Sequence, residues 1–170
     1  MQNRKLATNL IAMAKRDQTM RTKAMSDMSL WDESLDKKHT EALKRIIKQY
    51  GWPTIALVGQ EASNDAWLIV QHADHDPKFQ EQCLGLIKSL PKQEVTLSNV
   101  AYLEDRVRVA QGQPQLYGTQ FDQPGENFGP KVVEDWDRLD TRRSAMGLQP
   151  FEEYRKLMIE YNKSGFRGTL

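Results

Sequence analysis

Apolar residues recur every three or four positions over most of this chain, and from Gly51 onward glycine or proline interrupts each run after a few turns. That pattern selects short amphipathic helices, each burying one stripe. Over residues 3–25, Leu6, Leu10, Ile11, Met13 and Ala14 fall at helical spacing, and the stretch Met20–Met28 closes the segment. Asp17 and Arg21, four apart, are expected to form a solvated ion pair on one face. A second helix is expected over Lys37–Gln49 with Asp36 as its N-cap, and Gly51 and Pro53 stop it. His39 falls at the solvated start of that helix and receives no role. Trp52, placed before a proline, is a candidate for the edge of a pocket.

The segment Trp67–Phe79 is the most loaded part of the chain. Thr54 caps a short turn, Ile55–Val58, which Gly59 ends. A helix from about Glu61 to Asp74 then runs into His72, Asp74, His75 and Asp76. Pro77 forces a restart, with Asp76 as N-cap and Pro77 at the first helical position of a helix over Lys78–Leu90. Cys83 lies on that helix's apolar stripe and reads as a small core residue. Thr96 or Ser98 caps the next helix, which ends near Ala110. From Pro114 the texture changes: Gln115–Phe121 alternates polar and apolar as a strand does, and Lys131–Glu134 suits a returning strand across the turn-rich residues 122–130. Asp140 is expected to cap a helix over Thr141–Met146, and a last helix covers Phe151–Asn162 before the end frays from Gly165. The fold expected is mainly α, a single domain of about six or seven helices with a short two-stranded β-hairpin near residues 114–134.

Composition narrows the partners. A chain of 170 residues, 39% hydrophobic and 28% charged, is large enough to bury a core without disulfides or metals. Its net charge of +1 gives no reason to expect nucleic acid or an anionic membrane as partner. A single cysteine cannot form an internal bridge, which suits a reducing compartment. The first residues contain no apolar signal-like run, and no later run reaches membrane-spanning length. The expectation is a soluble cytoplasmic protein.

Four ordered motifs carry a resemblance. They are Tyr50-Gly51-Trp52-Pro53, Gln71-His72-Ala73-Asp74, Ala101-Tyr102-Leu103 with Asp105-Arg106-Val107, and Gln115-Leu116-Tyr117-Gly118-Thr119-Gln120. With Arg142-Arg143, Gly147-Leu148 and Tyr154, the series over residues 40–155 resembles an uncharacterised bacterial family known only as a domain of unknown function. The resemblance implies a mostly helical bacterial domain and transfers no reaction and no cofactor. It directs attention to the polar motif positions His72, Asp74, Asp105, Arg106, Gln115, Tyr117, Thr119 and Gln120.

Three chemistries fit these residues. The first is acid–base catalysis at His72, with Asp76 or Asp105 as the carboxylate that orients it and Asp74 also among the catalytic candidates. Arg106 would clamp a substrate anion, and Trp52, Gln115, Tyr117, Thr119 and Gln120 would line the substrate site. No serine or cysteine has a nucleophile's context, so water attack or proton transfer is favoured over a covalent intermediate. The second is a metal site. No metal is assigned, but His72 and His75 with Asp74 or Asp76 offer nitrogen and oxygen ligands that zinc or iron accepts. The third is a binding module presenting Gln115–Phe121 as a strand edge to a peptide, with Arg142 and Arg143 reading acidic groups. A small molecule or a peptide is the expected substrate, and the oligomeric state does not follow from the sequence.

Overall fold

The computed structural model describes residues 2–122, 125 and 128–163. Among them eight α-helices are present, joined by short 3₁₀ turns, and there is no β-sheet. The expected fraying from Gly165 and part of the turn-rich stretch 122–130 lie outside the described residues. The chain falls into two compact units, residues 1–99 and 100–170. No linker in the sequence marks that boundary, because it falls inside a helix. None of the described helices is long and apolar enough to cross a membrane.

The first unit is built on α1, Arg4–Ser26, which Asn3 caps by accepting from the Leu6 N–H at 3.1 Å. Its buried stripe is Leu6, Leu10, Met13, Ala14, Asp17, Met20 and Ala24, one position every three or four residues. The stripe packs most extensively against α4, Gln60–Gln71, and also meets α2, Glu33–Tyr50, and α3, Ile55–Val58. Ala62 and Ala66 on α4 are almost fully buried, and their small side chains let the two helix backbones come close. Asp32, not Asp36, caps α2, accepting from the Ser34 N–H at 2.9 Å. The helix therefore starts one turn earlier than expected, and Asp36 is carried inside it onto the buried face. Gly51 ends α2 at φ +73°, where its N–H reaches the Ile47 carbonyl. α4 stops at Gln71 with His72 as its C-cap, short of Asp74. α5, Pro77–Lys88, starts as the sequence indicates, with Asp76 capping the Phe79 N–H at 3.1 Å and Pro77 at the first position.

The second unit takes most of α6, Leu97–Ala110, then an irregular stretch and the helices α7, Leu139–Ala145, and α8, Phe151–Lys163. The hairpin expected near residues 114–134 does not form. Only two isolated bridges occur there among the described residues, Gln115 with Val133, which runs parallel, and Phe121 with Pro130, which runs antiparallel. The reason is competition for the backbone. Side chains of Asp105, Gln115, Arg142 and Arg143 take the N–H and carbonyl groups that a strand ladder would have used. Asp140 also differs from expectation. α7 grows from a 3₁₀ turn at Trp136–Arg138, and Asp140 instead accepts from the Phe151 N–H at the start of α8, at 2.7 Å. Val133, Leu139 and Phe151 form this unit's apolar centre, with Phe121 packed against it.

Candidate functional site

Asp17 is the one charged residue on the buried stripe of α1, and it is only 1% exposed. Such a group is tolerated only with partners that satisfy its oxygens and balance its charge. It has three. The His72 ring, at the C-cap of α4, places Nδ1 2.9 Å from Asp17 Oδ2. Arg21, one turn along α1, donates from Nε to both carboxylate oxygens at 3.2 Å. Gln18 donates from its amide to Oδ2 at 3.0 Å. The far end of the Arg21 guanidinium reaches Asp36 Oδ1 on α2 at 2.9 Å, and the Trp31 ring covers its flat face at 4.9 Å. The expected solvated pair of Asp17 and Arg21 is thus a buried one that ties together α1, α2 and the end of α4.

The two carboxylates of this cluster are pushed apart. Burial raises Asp17, but the hydrogen bonds and charges of His72 and Arg21 outweigh it and hold the carboxyl down at about 2. Asp36 goes the other way, lifted by burial and by the negative charge of Asp17 against the pull of Arg21. Asp17 is therefore ionised at neutral pH and can only accept a proton, so His72 must donate from Nδ1. Its other nitrogen, Nε2, has no hydrogen-bond partner among the described residues and no contact with solvent. His39, also buried, is held below its ordinary value by burial and by Arg16 and Arg21, against Asp17. Its Nδ1 and the neighbouring Thr40 hydroxyl are likewise buried without partners among the described residues. Buried polar atoms of this kind are rare in folded proteins and often mark a place where water or a ligand binds.

The other expected residues of this unit take separate partners. Asp74 is exposed and accepts from the Gln80 amide at 3.0 Å. Asp76 caps α5 and pairs with Lys44 at 2.8 Å. His75 is exposed, whereas His72 is buried, and Trp52 is a core residue at 5% exposure. Among the described residues no group of three or more His, Cys, Asp or Glu side chains is arranged to hold a metal ion.

In the second unit the motif residues do come together, around Asp105. Its fully buried carboxylate accepts from the N–H groups of Leu116, Tyr117 and Thr119 and from the Thr119 hydroxyl, at 2.7–3.2 Å. Gln115 donates to the carbonyls of Gln120 and Lys131 and accepts from the Gln120 N–H. Arg143, 1% exposed, donates to the carbonyls of Tyr117 and Gln149 and lies over the rings of Phe151 and Tyr154. Arg142 holds the Leu116 and Asp135 carbonyls, and the Tyr154 hydroxyl donates to the Thr119 carbonyl. Gln120 is half-buried, and Arg106 stands half-buried on α6.

A family model described as "Family of unknown function (DUF6624)" matches residues 4–164. The chain belongs to that family. The match reaches well beyond residues 40–155 and takes in α1, so Asp17 and Arg21 are inside the DUF6624 domain. No curated protein and no solved structure matches the chain. The residues that sequence reasoning missed are Asp17, Arg21, Asp36 and His39. One signal was present: Asp17 falls three after Ala14 and four after Met13, in register with the apolar stripe.

Proposed function

We propose that this DUF6624 protein is an acid–base enzyme whose working pair is His72 and Asp17. One observation carries the reading: His72 is anchored through Nδ1 to an ionised carboxylate, while Nε2 is buried with no partner among the described residues. Asp17 fixes the tautomer and the ring plane, leaving a lone pair on Nε2. That lone pair takes a proton from a water or from an acidic group of the substrate. Asp17 stabilises the imidazolium that forms, and Nε2 then returns the proton to product. Arg21, bound to both Asp17 and Asp36, keeps the carboxylate from rotating away.

The reaction class that fits is proton transfer or direct attack by water. Cys83, the one thiol, is buried and its pKa is pushed up to about 12 by desolvation and then by Asp76, so it stays protonated and unreactive. His72→Asn is the discriminating variant. Its amide nitrogen takes the place of Nδ1 and keeps the bond to Asp17, while Nε2 is lost. Histidine ¹⁵N resonances would be followed in wild type and variant while a library of small carboxylic acids, amides and phosphate esters is added, with turnover read from the proton spectrum. The expected result is compounds that shift Nε2 of His72 and are converted by wild type only. A folded His72→Asn protein that converts the same compounds, or a library that never shifts Nε2, would sink the reading.

A further inference from the structure

A groove of about 560 Å³ runs along α1, lined by the apolar side chains of Ala12, Met20 and Leu30 and by the cations Lys15, Arg16 and Lys23. Its α1 wall repeats at residues 12, 15/16, 19 and 23, a single helix face about 16 Å long at a rise of 1.5 Å per residue. Leu30 is 49% exposed there, and Met25 and Met28 nearby are exposed as well. None of the three cations has a carboxylate partner among the described residues. An apolar concavity rimmed by unpaired positive charge calls for an amphipathic partner of negative charge.

The chain carries such a surface. α8 buries only Phe151 and Tyr154, and one flank presents Glu153, Leu157, Glu160 and Tyr161, with the exposed Lys156 beside the two glutamates. Leu157 is 44% exposed. Glu153 and Glu160 have no cationic partner among the described residues. The stripe from residue 153 to 161 is about 12 Å long, within the length of the groove.

The geometry points to self-association in which this face of α8 from one copy seats in the α1 groove of a second copy. Leu157 packs against Met20 and Leu30, and Glu153 and Glu160 approach Lys15, Arg16 and Lys23. The contact is heterologous, so it closes as a dimer when two copies exchange it reciprocally and otherwise continues as a chain of copies. It is independent of the acid–base reading.

Sedimentation analysis of the whole chain over a concentration series, at low and high salt, tests this. The wild-type mass should rise with concentration, and salt should suppress the rise. Lys15→Glu/Lys23→Glu and Glu153→Lys/Glu160→Lys should each weaken association by at least about tenfold, since like charges then face each other. An equimolar mixture of the two variants should regain it, because every contact between unlike copies is complementary again. Leu157→Asp alone should have the same effect as either double variant, and circular dichroism checks that each protein is folded. A wild type that keeps the monomer mass up to about 1 mM overturns the proposal, since even a weak specific contact is populated there. So do variants that associate as wild type does, or a mixture no better than its parts. A monomer that instead binds phosphatidylglycerol vesicles assigns the groove to a lipid surface and overturns it too.

Discussion

Replacing Asp17 by asparagine removes the charge at the centre of the buried cluster while preserving its shape. The Asp17 carboxyl falls from 3.8 to about 2. At about 1.4 kcal/mol per pH unit the ionised form is bound more favourably than the protonated form by about 2 kcal/mol. A depressed pKa on an acid adds stability that is fully present above the unfolded value, near pH 4, and disappears as pH falls towards 2. The amide of the Asp17→Asn variant has nearly the geometry of a protonated carboxyl and does not titrate. The substitution should therefore lower the unfolding free energy by about 2 kcal/mol near neutral pH, and the difference should close almost completely by about pH 2. The loss stays below the roughly 3–5 kcal/mol typical of orphaning a buried charge, because Arg21 keeps Asp36. Urea denaturation followed by circular dichroism, at a series of pH values from neutral down to the folded-state pKa, measures the gap directly. A gap that stays constant across that range would mean the cluster stabilises by shape alone, and the electrostatic account of Asp17 would fail.

Two further outcomes follow from single contacts. Gly118 sits at φ +68°, and a Cβ there would stand 2.8 Å from the Phe151 ring, so Gly118→Ala should cost about 2–4 kcal/mol and lower the melting temperature; an unchanged melt would contradict the packing of that turn. Cys83, fully buried with its thiol pushed up to about 12, should resist maleimide at mildly alkaline pH in native protein and react once urea unfolds it; rapid native labelling would show that α5 opens.

The helices were legible because their signals are local. Gly51, Asp76 and Pro77 act within one turn of where they stand, and the apolar stripes of α1 and α5 fall at the spacing the sequence displays. The larger failures are non-local. Gln115–Phe121 has the alternation of a strand, but whether it pairs depends on Asp105, eleven or more residues earlier, and on Arg142 and Arg143, more than twenty later. Asp36 looks like an N-cap, but Asp32 caps the helix one turn earlier and Asp36 pairs instead with Arg21, fifteen residues away. The partner of His72 is Asp17, 55 residues distant, and no spacing rule links the two.

Asp17 and Asp105 make the limit concrete, since in sequence they are the same object, an aspartate in register with an apolar helix stripe. Their partners separate them. Asp105 is closed by three backbone N–H groups and a hydroxyl, none of which titrates near neutral pH, and what it holds is the path of residues 116–119. Asp17 is closed by an arginine, a glutamine and an imidazole, and the imidazole passes an unused nitrogen onward. A buried carboxylate whose partners are backbone N–H groups and a hydroxyl has its capacity spent on the fold. One that ends on a titratable ring with a spare lone pair can still exchange a proton. That difference, not burial or charge alone, is why we propose His72 and Asp17, and not Asp105, as the working pair.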